Sequence, residues 1–345
     1  MQIIKILFIS IIAWSSLLDA CSRVMYEGDN NRTITARSMD WASDVDSDLW
    51  IFPRGLERKG GIDENSIKWK SKYGSIVASA FNLMTSDGMN EKGLVVNLLY
   101  LAESDFGTSD KPTLSVGAWP QYVLDNFKNV NEVVKAFKNP SFQIIAPPLY
   151  GVIPASIHIA VSDSSGDSAI LEYIKGKITI HHNKKYKVMT NSPTFDKQLA
   201  LNSYWEEIGG IVMLPGTNRA SDRFIRASYY TNSLNKGKNE RESIATAFSI
   251  IRNVSVPLGY NNLNLKRPNL STTRWRTVAD HKSLKYYFES TTYPNIFWVD
   301  LKKIDFTKNR SIQKLELANY PLLAGEVSVK FIKVEKAFNW LSYKK

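Results

Sequence analysis

Three residues near the start of the chain could together cleave an acyl bond. Cys21 is the one cysteine of the sequence, and Arg37 and Asp40 follow it within TARSMDW (35–41). If Cys21 opens a strand and EGDNN (27–31) turns the chain, the returning strand brings Arg37 and Asp40 beside the thiol. A guanidinium favours a thiolate, and a carboxylate can hold an amine or thiol by hydrogen bonds. The pattern indicates a catalytic group, with a surface ion pair as the alternative interpretation.

The residues before Cys21 indicate how this cysteine becomes chain-terminal. Lys5, an apolar run over 6–18 and Ala20 have the layout of a cleaved export signal. The run is shorter than the roughly 20 apolar residues that a membrane helix needs, and no later segment qualifies. We therefore expect a signal peptide over 1–20, an exported protein that is periplasmic or secreted, and no stable membrane insertion.

Cleavage before Cys21 would give a single residue both a nucleophile and a base. An α-amine titrates near about 7.7 to 8.0 and a thiol near about 8.5 in reference peptides. The amine can take the thiol proton, directly or through a water, and later return it to the leaving amine. The alternative is that LDAC (18–21) is a lipoprotein cleavage box. Lipidation would then consume the thiol and the amine and anchor a non-catalytic binding protein, although Asp19 fits such a box poorly.

Composition and patterning predict a layered fold with an ample core. Of 345 residues 43% are hydrophobic, and the net charge of +11 comes from scattered Lys and Arg without a long basic stripe, which argues against nucleic-acid binding. Hairpins grouped apart from helices predict an α+β fold with stacked antiparallel sheets, and we expect a single domain over 21–345. Strands are predicted over 33–37, 75–80, 94–100, 156–162, 169–174, 177–181 and 187–190, and again between 274 and 299. Helices are predicted over 114–127, 130–138, 194–207, 220–235 and 240–253.

The four histidines do not form a metal-binding pattern. His181 and His182 are adjacent on a predicted strand, so their side chains point to opposite faces. Asp280 and His281 lie at a predicted hairpin turn, where we expect them at the surface. We therefore expect no metal and no cofactor.

Five ordered segments connect this chain to a known family. They are Cys21 at the cut, ARSMDW (36–41), DGMNEKGL (87–94), TNSPTF (190–195) and LPGTNRASDRFIR (214–226). With these segments the chain resembles the choloylglycine hydrolase family of N-terminal nucleophile hydrolases, which includes penicillin V acylases and conjugated bile salt hydrolases. The resemblance implies a four-layer αββα fold, cofactor-free hydrolysis of a linear amide through an acyl-thioester, and a homotetramer as in many relatives.

The resemblance also implies a role for individual residues. Cys21 corresponds to the nucleophile, and the arginine and aspartate of ARSMDW to its supporting pair. Asn191 corresponds to the asparagine whose side-chain N–H helps to form the oxyanion hole, and Tyr100 to the residue that donates the second, backbone N–H. Arg223 corresponds to the arginine that steadies the charges of the active site.

Aromatic residues predict the substrate class. Penicillin V acylases tend to have an aromatic residue where bile salt hydrolases have an asparagine, so Tyr100 favours acylase-type substrates by resemblance. Trp41, Tyr73 and Phe81 are further candidates for lining an acyl or aryl pocket, with a role in the core as the alternative. Trp41 and the export signal resemble the Gram-negative branch, whose members are also associated with N-acyl homoserine lactones. The expected substrate is penicillin V, with acyl homoserine lactones or conjugated bile salts as alternatives.

Overall fold

The computed structural model describes residues 21–209, 212–260, 271–293, 295–307, 309–318 and 322–343. The predicted signal peptide, residues 1–20, lies outside the described residues. The strands are β1 (Ser22–Glu27), β2 (Thr33–Trp41), β3 (Leu49–Phe52), β4 (Glu57–Lys59), β5 (Lys68–Lys70), β6 (Ser75–Ala80), β7 (Met84–Asn90), β8 (Val95–Tyr100), β9 (Thr113–Ser115), β10 (Gln143–Ile145), β11 (Ile157–Ser162), β12 (Ser168–Ile174), β13 (Lys177–His182), β14 (Val188–Met189), β15 (Thr272–Asp280), β16 (Lys285–Ser290), β17 (Ile296–Asp300), β18 (Ile312–Leu315), β19 (Gly325–Glu326) and β20 (Ile332–Val334). The helices are α1 (Trp119–Asn126), α2 (Val130–Phe137), α3 (Phe195–Ile208), α4 (Ala220–Ser233) and α5 (Glu240–Asn253).

Most strands belong to two large sheets. The first sheet has the order β14-β1-β2-β15-β16-β17-β19, and only its β17–β19 pair is parallel. The second sheet has the order β13-β12-β11-β8-β7-β6-β3-β18-β20 and is antiparallel throughout. Two small two-stranded pairs, β9–β10 and β4–β5, lie beside them.

The two sheets stack face to face and carry helices on their outer faces. Helices α4 and α5 pack on the first sheet, α1 and α2 on the second, and α3 packs against α4. Polar contacts cross between the sheets: Thr35 Oγ1 lies 2.8 Å from Ser162 Oγ, and the Tyr286 hydroxyl donates to Asp87 Oδ1 over 2.5 Å. The predicted α+β architecture, with two antiparallel sheets between helical layers, is confirmed. Among the described residues, no helix combines the length and the apolar character that crossing a bilayer demands.

The first hairpin has the predicted geometry. A single 3-10 turn over Asp29–Asn31 joins β1 to β2, and both asparagines of this turn have positive φ, a region that Asn enters more readily than most residues. Ser22 lies opposite Ser38 in the register. Cys21, directly before β1, is therefore returned to the end of β2.

The predicted helix over 114–127 is wrong in its first part. Thr113–Ser115 forms β9, which pairs in parallel with β10, and the helix begins only at Trp119. Pro120 lies in the first turn, where its missing N–H leaves no intrahelical bond unmade. The apolar residues before it are buried as a strand, which periodicity alone does not distinguish from a helix.

The expectation that Asp280 and His281 are at the surface is also wrong. Both residues are buried at the end of β15. Asp280 forms an ion pair with Arg32, and His281 Nδ1 lies 2.6 Å from the Gly93 carbonyl oxygen. The turn packs against the neighbouring β7–β8 turn, so a hairpin end that looks exposed in sequence is covered in the fold.

Candidate active site

Cys21 is buried at the open end of the β1–β2 hairpin, where β1 begins and β2 ends. The backbone N–H of Asp40 donates to Cys21 Sγ over 3.4 Å, and Arg37 Nη2 lies 3.8 Å from the same sulfur. Met39 Sδ is 3.9 Å away. The hairpin thus surrounds the thiol with an N–H donor and a guanidinium, two groups that favour a thiolate.

Arg37 is fully buried between the two sheets. Its Nη2 donates to the Leu98 carbonyl oxygen over 2.9 Å, its Nη1 donates to Ser86 Oγ, and its guanidinium stacks 4.5 Å from the centre of the Trp275 ring. No carboxylate of the described residues forms an ion pair with it. The alternative of a surface ion pair with Asp40 is therefore excluded, and the guanidinium is held by the second sheet and faces the thiol.

Asp40 is buried beside Cys21 and is held by hydroxyl groups. Thr273 Oγ1 donates to Oδ1 over 2.5 Å and Ser38 Oγ donates to Oδ2 over 3.3 Å. Burial raises the pKa of Asp40 to about 6, and the nearby Arg223 and Arg37 charges offset only part of that cost. This carboxyl group therefore changes charge close to neutral pH.

Asn191 and Tyr100, expected to form an oxyanion hole, are in contact. Asn191 Nδ2 donates to the Tyr100 carbonyl oxygen over 2.8 Å. Tyr100 ends β8, which runs next to β11 in the second sheet, and Asn191 follows β14 of the first sheet. The fold therefore brings together two residues 91 positions apart.

Arg223 joins the nucleophile strand to this pair. From the first turn of α4 its Nη1 donates to the Cys21 carbonyl oxygen and to Ser22 Oγ, each over 2.6 Å. Its Nη2 donates to Asn191 Oδ1 over 2.7 Å, which leaves the amide N–H groups of Asn191 directed away from the guanidinium. Burial lowers the pKa of Arg223 to about 10, so it stays a cation at neutral pH. One side chain thus links the backbone of Cys21 to the side-chain amide of Asn191.

An apolar cavity opens at the thiol. Trp41, Phe81 and Tyr100 line it together with Cys21, and Leu149 belongs to the loop that forms another wall. The Trp41 and Phe81 rings meet edge to face with centroids 5.4 Å apart. A substrate carbonyl at Cys21 would therefore have its apolar substituent in an aromatic slot.

Two of the candidate aromatic residues lie at opposite ends of β6. Phe81 follows the strand with a positive φ of 56°, a strained conformation for a bulky residue and one that clusters at functional sites. Tyr73 precedes the strand, where its ring lies near Lys92 Nζ, and it does not line the cavity. The pocket role predicted for Tyr73 is therefore not supported by its position, because six strand residues separate it from Phe81.

Several contributors to this site carry no sequence signal of their own. Met39 lies between Arg37 and Asp40 in ARSMDW, so only its position in that segment indicates that it is near the site. Thr273 and Trp275 come from β15, far along the chain, and only the pairing of β15 with β2 places them behind Asp40 and Arg37. Among the described residues no group of three or more His, Cys, Asp or Glu side chains could hold a metal ion.

Two stacked antiparallel sheets between helices, with a buried cysteine directly before the first strand and Asn191 joined to it through Arg223, are typical of the fold class of the N-terminal nucleophile hydrolases. The family model of linear amide C–N hydrolases, choloylglycine hydrolase family, matches residues 21–314. The chain belongs to this family and is an amide hydrolase.

Individual relatives agree with this assignment. The chain is 55% identical to a penicillin V acylase of Pectobacterium atrosepticum over 323 residues, 86% of this chain and 85% of the relative. It is 27% identical to a bile salt hydrolase/transferase of Clostridium perfringens over 84% of this chain and 94% of the relative. The solved structure of a penicillin V acylase from Agrobacterium tumefaciens superimposes with a TM-score of 0.86 at 50% identity, covering 93% of this chain and all (100%) of that one.

Proposed function

We propose that this enzyme hydrolyses the side-chain amide of penicillin V, releasing phenoxyacetic acid, through Cys21 as nucleophile. The observation that carries the proposal is the aromatic slot of Trp41, Phe81 and Tyr100 directly beside the thiol. An aryl ring gains edge-to-face contacts there that an aliphatic group lacks. The similarity to penicillin V acylases supports the same substrate.

The first half of the reaction forms an acyl-thioester. The α-amine of a chain-terminal Cys21 takes the thiol proton, and Sγ attacks the amide carbon to give a tetrahedral intermediate. The intermediate collapses as the proton passes to the leaving nitrogen, the C–N bond breaks, and the amine product departs. Water then attacks the thioester with the α-amine as base, and the acid leaves while the thiol is restored.

Negative charge on the carbonyl oxygen is the main cost of this reaction. Asn191 Nδ2 and the backbone N–H of Tyr100 are the donors we assign to it, with Arg223 holding the Asn191 amide from its oxygen side. Asp40 in its charged form holds the α-ammonium of the resting state, and Arg37 stabilises the thiolate.

We propose further that the chain is exported to the periplasm or secreted, and that signal cleavage before Cys21 is the activation step. The support is the signal-like sequence over 1–20 and the need of the mechanism for an α-amine on Cys21. Intact mass of the exported protein tests this: a mass starting at an unmodified Cys21 supports it, and a diacylglyceryl adduct overturns it in favour of a lipid anchor.

A substrate panel tests the proposed activity. Penicillin V, long-chain N-acyl homoserine lactones, and glycine- and taurine-conjugated bile salts are compared by kcat/KM on the processed enzyme. We expect penicillin V to give the highest value. Acyl homoserine lactones are the second candidate, because an alkyl chain also fits an apolar slot beside a polar amide. A higher kcat/KM for the bile salts would contradict the proposal.

A further inference from the structure

His158 is a buried residue that the mechanism above does not use. It lies in β11 of the second sheet, with its Nδ1 3.0 Å from Glu172 Oε1 and its Nε2 2.9 Å from the Thr190 carbonyl oxygen. Thr190 directly precedes Asn191, the assigned oxyanion donor. The imidazole therefore contacts the backbone from which Asn191 extends.

The two partners of His158 define its protonation. A carboxylate and a backbone carbonyl can only accept hydrogen bonds, so both contacts are hydrogen bonds only when both ring nitrogens donate, that is, when the ring is an imidazolium. His281, equally buried, differs in one partner: its Nδ1 donates to a carbonyl, but its Nε2 lies 2.8 Å from the Thr35 hydroxyl, which can donate to it. Burial lowers the pKa of His281 to about 4, so this ring is neutral.

Glu172 is the counter-ion of this imidazolium. Burial alone would raise the pKa of Glu172, but hydrogen bonds from His158 and His181 and from the Phe195 N–H bring it to about 2. The Phe195 N–H lies 3.2 Å from each carboxylate oxygen. The His158–Glu172 pair therefore holds the segment 190–195 at both ends, through Thr190 and through Phe195.

A third contact completes this support. Gln198 Nε2 donates to the Asn191 carbonyl oxygen over 3.0 Å and lies 3.2 Å from Thr190 Oγ1. The backbone on both sides of the Asn191 side chain is therefore fixed by buried donors. Its amide has little freedom to move away from a substrate oxygen.

We infer that His158, protonated on both ring nitrogens and neutralised by Glu172, is a positioning residue that holds Asn191 in place for oxyanion stabilisation. The inference rests on the proposed function. A displacement near 1 Å of a catalytic group can cost about 100-fold in rate. Losing this support should therefore lower kcat more than it raises KM.

The first experiment compares His158→Gln with the matched variant His281→Gln, both measured on penicillin V. We expect kcat of His158→Gln to fall by about 10- to 100-fold with KM changed less than about threefold, while the His281 variant keeps wild-type kcat. Alkylation of Cys21 by iodoacetamide should proceed at the wild-type rate in both variants, because the nucleophile is not touched. Equal loss of kcat in both variants, or slowed alkylation in His158→Gln alone, would show a merely structural role.

A double-mutant cycle tests whether His158 acts through Asn191. His158→Gln should have almost no further effect on kcat in an Asn191→Ala background, because the group that it positions is already gone. Multiplicative effects of the two changes would overturn the inference. If His158→Gln does not fold, Glu172→Gln takes its place in the cycle, since it removes the counter-ion and keeps the shape.

The charge state has a readout that does not depend on activity. At neutral pH the ring 15N signals that disappear in His158→Gln should both have the shifts of protonated nitrogens, whereas those lost in His281→Gln should show one protonated and one bare nitrogen. A neutral His158 would overturn this inference and leave the proposed function standing. Failure on every substrate of the panel would remove the proposed function, while the NMR result would still decide the charge of the pair.

Discussion

The nucleophile side and the oxyanion side of this site each contain a buried carboxylate, and the two behave in opposite ways. The pKa of Asp40 is raised to about 6, and that of Glu172 is lowered to about 2. Asp40 receives hydrogen bonds from two neutral hydroxyls, Thr273 and Ser38, while the positive charges near it act from a distance. Glu172 receives direct hydrogen bonds from the His158 ring and from the Phe195 backbone N–H.

The difference teaches that the direct donors, more than the burial, decide the charge of these groups. At Glu172 the hydrogen bonds from His158, His181 and the Phe195 N–H together outweigh the cost of burial, whereas at Asp40 the Arg223 charge and the Thr273 hydrogen bond do not. The nucleophile side thus keeps a carboxyl group whose pKa is raised to about 6. On the oxyanion side, the carboxyl group of Glu172, with a pKa of about 2, stays charged well below neutral pH.

The largest expected effect comes from removing the nucleophile itself. Cys21→Ala should abolish penicillin V hydrolysis, because no other thiol exists in the chain to form the acyl-thioester. Turnover is measured on protein whose near-UV circular dichroism matches the wild type. Wild-type turnover by the folded variant would contradict the proposed mechanism as a whole, because both sides of the site act on the bond that Cys21 attacks.

Removing Asn191, the proposed oxyanion donor, should leave the surroundings of Cys21 intact. Asn191→Ala is expected to lower kcat by about 10² to 10³, the usual cost of one oxyanion donor. Iodoacetamide should still alkylate Cys21 at the wild-type rate in this variant. A loss of kcat below tenfold would show that Asn191 is not a donor in the transition state.

The charge change of Asp40 should limit activity in acid. Because the charged form holds the α-ammonium in our mechanism, and this cation lowers the pKa of Asp40 in the processed enzyme below about 6, kcat/KM should fall about tenfold per pH unit once Asp40 becomes protonated, at a pH below 6. Glu172, with its pKa near 2, should add no step above pH 4. The pH profile of kcat/KM on penicillin V measures this. An activity that stays level down to pH 3, on protein that remains folded, would contradict the role given to Asp40.

The same group should be visible in stability. A carboxyl with a raised folded-state pKa binds its proton more tightly in the native state, so its contribution to the free energy of unfolding falls as pH rises from about 4 to 6. Asp40→Asn removes this contribution. As pH rises from about 4 to 6, the free energy of unfolding of the variant should therefore increase relative to that of the wild type, by an amount on the order of 2 kcal/mol. Denaturant melts of both proteins at pH 4 and pH 7, with residues 1–20 retained so that no α-ammonium lies beside Asp40, provide the comparison, and a constant difference would contradict it.

The two sides also differ in how far the sequence predicts them. The nucleophile side follows from local rules: a turn at 29–31 and a strand period of two bring Arg37 and Asp40 back to Cys21 within one hairpin. The resemblance supplied Asn191, Tyr100 and Arg223, which no local pattern connects.

Support behind the site could not be predicted from the sequence. Thr273 reaches Asp40 only because β15 pairs with β2, and His158 meets Thr190 only across two sheets. Such contacts depend on long-range topology, which periodicity does not encode. Tyr73 and Phe81 show the same limit of prediction from sequence. They lie at opposite ends of one strand, and only the end with Phe81 reaches the cavity.

The smallest expected effect concerns the aromatic slot and the choice of substrate. Trp41→Leu keeps an apolar wall but removes the edge-to-face contact with Phe81 and with a bound ring, an interaction worth about 0.5 to 1.5 kcal/mol. We expect kcat/KM to fall by about 2- to 12-fold on penicillin V and to change less on a long-chain acyl homoserine lactone. Tyr73→Leu, outside the cavity, is the matched control and should leave both values unchanged. Equal losses on the two substrates would mean that Trp41 shapes the slot without recognising the aryl ring, and the preference for penicillin V would then need another origin on the nucleophile side.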